Sequence, residues 1–89
     1  MSEFGIHSIE FIGETGSVTG RCYQGTLRVG ASFVSFSDED GLVCPIRLEI
    51  VRIEAYQRDL NEIEEGLTAR LYMRGEGWAL LRDRGVLQC

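Results

Sequence analysis

Residues 16–30 read GSVTGRCYQGTLRVG, and no other stretch narrows the possible folds so far. Val18, Gly20 and Cys22 fall on one face of an extended strand, while Thr19, Arg21 and Tyr23 fall on the other. That alternation predicts a half-buried strand over Ser17 to Gln24. Gly25 can take the positive backbone angle of a tight turn, after which Leu27 and Val29 lead the chain back into a core and Gly30 ends the run. Two glycine-punctuated segments in such close succession predict a tightly curved all-β unit.

The same punctuation continues on both sides. Ile6, Ile9, Phe11 and Ile12 read as the first strand, with His7 just before it as a surface or edge histidine, and Gly13-Glu14-Thr15-Gly16 reads as a hairpin turn. That Gly-x-x-Gly loop is no phosphate cradle, because a strand rather than a helix N-terminus follows it. Phe33, Val34 and Phe36 form a further strand closed by the acidic hairpin tip Ser37 to Gly41, which lacks the spaced oxygen ligands of a calcium loop. Leu42 to Tyr56 reads as one long strand whose alternation changes phase: Ile46, Leu48 and Ile50 share a face, then Val51, Ile53 and Ala55 do. A β-bulge near Ile50-Val51 would bring both sets inside. Gln57 to Glu65 reads as a helical turn or an ordered loop holding Leu60 and Ile63. Leu67, Ala69, Leu71 and Met73 then alternate with Thr68, Arg70, Tyr72 and Arg74 in the cleanest strand of the chain. Gly75-Glu76-Gly77-Trp78 breaks that strand, Ala79 to Arg84 reads as a short helical or turn segment, and Gly85-Val86-Leu87 is the expected closing strand. The core expected from this pattern is Ile12, Val18, Leu27, Val29, Val34, Leu48, Ile53, Leu67, Ala69, Leu71 and Val86.

With 89 residues, 44% hydrophobic and 26% charged, the chain has the size of one domain with one core. No apolar run approaches the roughly 18 residues that span a bilayer, and the N-terminus lacks the features of a secretion signal, so a cytoplasmic location is the default expectation. Cys22, Cys44 and Cys89 are odd in number and widely spaced, which predicts free thiols. All 9 basic residues are arginine against 14 acidic ones, a net charge of −5 that disfavours nonspecific binding to polyanions.

The run VTGRCYQGTLRVG resembles the opening of domain II of the translational GTPases, the β-barrel that follows the GTP-binding domain in elongation factor Tu and its relatives. Leu60 to Gly66, the strand Leu67 to Met73 with Arg74-Gly75 behind it, and Arg84-Gly85-Val86-Leu87 resemble later landmarks of that barrel in the same order. The resemblance implies a freestanding, closed or nearly closed antiparallel barrel of about six strands. In the family this domain helps hold the aminoacyl end of tRNA or contacts the ribosome. By position, the resemblance places Glu62 at the glutamate near the terminal adenosine, although Ile63 stands where the family has a glycine and Arg70 where it has a small residue. The family's catalysis belongs to its GTP-binding domain. These residues contain no phosphate-binding loop, which without lysine cannot be made, and no nucleophile, metal or carboxylate constellation.

A non-enzymatic binding module without a cofactor is therefore expected, an adaptor or partner-neutralising protein whose partner is another protein. The alternative is an RNA or ribosome contact module. Candidate contact residues are the outward row Arg70, Tyr72 and Arg74, the acidic Glu62, Glu64 and Glu65, and Trp78, which either plugs a barrel end or anchors a partner.

Overall fold

The computed structural model describes residues 2–12 and 15–89, with 11, 12 and 15 described by their backbone alone. Among the described residues nine strands follow one another: β1 (Glu3–Ile12), β2 (Thr15–Gln24), β3 (Thr26–Arg28), β4 (Ser32–Ser37), β5 (Val43–Ala55), β6 (Arg58–Leu60), β7 (Glu62–Glu64), β8 (Thr68–Glu76) and β9 (Val86–Gln88). A single 3-10 turn, Trp78–Leu80, is the only helical element among the described residues. The sheet runs β4-β9-β1-β2-β8-β5-β6, and a further β4–β5 pairing joins its ends. Six strands therefore close an antiparallel barrel, with β6 added beyond β5. Closure leaves those six strands without a free edge, which is how a small all-β chain satisfies its backbone.

The alternation of β2 becomes the expected half-buried strand, paired with β1 on one side and β8 on the other. Val18 and Cys22 are buried, Arg21 and Tyr23 exposed. Gly20 is required by close approach: a Cβ there would collide with the Gly5 carbonyl of β1. Gly25 takes the anticipated positive angle, with φ 76°. The Gly13-Glu14 part of the predicted hairpin turn lies outside the described residues, but Ile12 faces Thr15 across the two strands it joins.

The phase change in β5 is a bulge. Its pairing with β8 slips between Ile50 and Arg52, so Ile46, Leu48 and Ile50 face inward before the slip and Ile53 and Ala55 after it. Val51 takes up the extra position and is 39% exposed, against the expectation that it would share the buried face. A second slip in β4, between Phe33 and Ser35, explains why Phe33 and Phe36 are both buried while Val34, expected in the core, is 54% exposed.

Three other core expectations need correction. Val29 is 44% exposed because β3 ends at Arg28 and Val29 enters the turn, its N–H bonding to the Asn61 carbonyl. Val86 is half-buried and Leu87 occupies the core instead. Leu67 is only half-buried, packed against the core margin. Val18, Leu27, Leu48, Ile53, Ala69 and Leu71 are buried as expected, and Ile12 lies outside the described side chains. His7 lies within β1 rather than ahead of it.

Gln57 to Glu65 is neither a helical turn nor a loop but two short strands, β6 and β7. The three-residue spacing of Leu60 and Ile63 has helical period, yet Asn61 breaks the chain between the strands and resets the alternation. β7 pairs with β3, placing Leu27 opposite Ile63, and both are fully buried in the common core. The acidic tip is a hairpin turn as expected, its Asp38 carboxylate accepting the N–H groups of Asp40 and Leu42 at 2.9 Å.

Candidate functional site

Because Leu71 and Met73 face inward, Arg70, Tyr72 and Arg74 lie on the outer face of β8. Pairing with β2 and β5 turns that row into a three-strand surface. Thr19, Arg70 and Glu54 stand in line across it, as do Ser17, Tyr72 and Arg52. The side chains interlock. Arg52 lies over the Tyr72 ring at 4.9 Å and bonds Asp59 at 2.8 Å, Arg74 meets Glu49 at 3.2 Å, and Arg70 donates to the Thr19 hydroxyl at 3.4 Å. The hydrogen bond to Asp59 raises the Arg52 pKa above its ordinary value, so this guanidinium is charged at any working pH.

The other candidates sit elsewhere. Glu62 and Glu64 flank buried Ile63 on β7 and point to solvent with Glu65. Glu62 is bound to Arg28 at 3.2 Å across the β3–β7 pair. Trp78 is half-buried against the core, its ring seated where a Cβ on Gly16 would intrude. The structure thus brings Arg70, Tyr72 and Arg74 into one face and leaves the Glu62-to-Glu65 segment and Trp78 as separate features.

Among the described residues, five of the nine arginines (Arg28, Arg52, Arg70, Arg74 and Arg84) lie 2.8–3.9 Å from carboxylates. A surface so paired presents mixed charge rather than a cationic field. One grouping was not foreseen: His7, Arg21, Tyr23 and Arg84 line a groove of about 490 Å³. His7, the Arg21 and Tyr23 pair, and Arg84 are far apart in sequence and carry no motif spacing. Only the outward alternation of Arg21 and Tyr23 on β2 hinted at it. Cys22, Cys44 and Cys89 are free, and burial pushes the Cys22 thiol pKa up. No described helix is long and apolar enough to cross a membrane.

Six antiparallel strands closed in this order make a small barrel, the architecture that the sequence resemblance implied. Across 97% of its length the chain is similar in structure to part of the translation elongation factor SelB of Methanococcus maripaludis in its apo form, with a TM-score of 0.77 at 15% sequence identity. The chain spans only 18% of that SelB chain. No family model and no curated protein sequence matches. The likeness bears out the fold implied by the glycine-rich run.

Proposed function

We propose that the chain is a non-catalytic binding module, a translation-factor-type barrel that docks on another protein through the outer face of β2, β8 and β5, as an adaptor or partner-neutralising protein. The observation that carries this reading is the interlocked row of Arg70, Tyr72, Arg74 and Arg52. Each arginine is already held by a hydroxyl, a ring or a carboxylate. Side chains held in place lose less entropy on docking, and a mosaic of both charges complements a protein surface better than a polyanion. The net charge of −5 adds to this preference.

A second reading, an RNA or ribosome contact module, is favoured by the likeness to a translation elongation factor. The test uses the protein immobilised as bait beside a variant carrying Arg70→Glu, Tyr72→Ala and Arg74→Glu. A protein partner should be retained by the wild type and lost by the variant with the melting temperature nearly unchanged. Binding of tRNA at roughly micromolar affinity, falling steeply as salt rises, would overturn the protein-partner reading in favour of the second.

A further inference from the structure

The groove lined by His7, Arg21, Tyr23 and Arg84 does not end where those residues end. It shares Thr19 and Thr68 with a neighbouring groove of about 440 Å³ that runs on to Glu54, Tyr56 and Arg70. Three irregularities build its first end. The β1 pairing with β2 slips between Ile6 and Ser8, and the residue taken up by the slip is His7, which is exposed. Arg84 has φ 68° and its N–H bonds the Ile6 carbonyl at 3.0 Å, which carries its side chain to the same place. Arg21 stands opposite Gly5, whose missing Cβ leaves room for the Tyr23 ring.

Charge is distributed unevenly along this path. At the first end, Arg21 has no ion-pair partner among the described residues, and Arg84 meets only Glu39, at 3.8 Å with its side chain 82% exposed. At the second end the charges are mixed: Glu54 is bound to Arg52 at 3.3 Å, and Arg70 lies 3.9 Å from Glu10. Exposed tyrosines stand at both ends, Tyr23 at 54% and Tyr56 at 75%. A polyphosphate chain, with a charge at every nucleotide, would gain at the first end and meet Glu54 and Glu10 at the second. A protein segment with acidic side chains at one end and uncharged residues behind them matches the whole path.

We propose that this two-part groove binds an extended protein segment whose acidic side chains are held by Arg21, Arg84 and His7, while uncharged residues lie along Thr19 and Thr68 towards Tyr56. This rests on the protein-binding reading above and extends its contact surface from Thr19 and Arg70 to the rim at Arg21, Arg84 and His7. Tyrosine rings supply contact area at low entropic cost, and guanidinium groups match the geometry of carboxylates.

The experiment is an amide-resolved NMR titration of the whole chain with the acetylated and amidated pentapeptide Ser-Leu-Ser-Glu-Glu. The controls are the same peptide ending in Lys-Lys and an RNA of five uridines. Saturable shifts at His7, Thr19, Arg21, Tyr23, Thr68 and Arg84 that extend towards Tyr56, with an affinity about tenfold weaker in Arg21→Glu, are the expected result. Arg21→Gln, which alters no fold contact, should give an intermediate loss. The proposal is overturned by shifts centred on Tyr72 and Arg74, by equal binding of the lysine peptide, by tighter binding of the RNA, or by no shift at all. The protein-binding reading fails separately, when the immobilised wild type retains no protein. A partner retained equally by wild type and Arg21→Glu ends this inference and leaves that reading standing.

Discussion

Leu71 has no exposed surface, and its register neighbours are Val18 on β2 and Ile53 on β5, both equally buried. Truncation there cannot be filled by a flexible loop, so Leu71→Ala should cost about 2–5 kcal/mol in chemical denaturation. A cost near zero would invert the register of β8. Cys22 offers a check on burial by pH. Its thiol pKa is raised by burial above the ordinary value of 9.0, so the folded state holds its proton where the unfolded state loses it. The resulting stability is present below pH 9 and is lost as pH rises through the folded-state value. The melting temperature of the wild type should therefore fall more steeply above pH 9 than that of Cys22→Ala. Tyr56 and Gln57 form the two-residue turn between β5 and β6, with φ of 53° and 62°. Such a turn favours Asn-Gly, so Tyr56→Asn with Gln57→Gly should raise stability by about 1–2 kcal/mol. The same pair of changes should weaken any ligand that reaches Tyr56, which a melt and a titration on one sample would show.

Among the elements, β1 and β2 depend on each other most closely, because Gly20 and Gly5 bring their backbones together without side chains between them. Gly20→Ala should therefore destabilise by about 1–3 kcal/mol through overpacking, read as a lowered denaturation midpoint. β8 carries two roles set by one register: its inner row is core and its outer row is the proposed docking face. Changes on the outer row should leave the melt in place while altering partner retention. β3 and β7 form a small ladder of their own, yet each sends one fully buried residue, Leu27 and Ile63, into the shared core. That is why a segment with only one deeply apolar position can hold a strand.

At the scale of the molecule, stability rests on the barrel core rather than on the surface ion pairs, each of which contributes about 0–1 kcal/mol. Raising the salt to about 1 M, where the Debye length is about 3 Å, should move the melting temperature by no more than a few degrees. A large fall would transfer the credit to the paired arginines. The far-ultraviolet dichroism should be that of strands, and a spectrum dominated by helix would overturn the barrel.

Much of this architecture is local and could be read along the chain. Alternation in β2 and β8, the phase change at Ile50-Val51 and the turn at Gly25 each depend on a few neighbouring residues whose side chains must face opposite sides of a pleat. The exposure of Val29, Val34 and Val51 is different in kind. Each is apolar and correctly placed by its own alternation, but a slip or strand end set by pairing with distant residues turns it outward. The strands β6 and β7 exist because β5 and β3 offer them backbone partners, a long-range condition that overrode the helical spacing of Leu60 and Ile63. The row Arg70, Tyr72 and Arg74 could be named from sequence, whereas its partners Arg52, Glu49 and Thr19 could not. For the same reason, only barrel closure brings His7 and Arg21 beside Arg84: strand β9 pairs with β1, and the chain just before β9 is thereby carried to the rim where β1 and β2 meet.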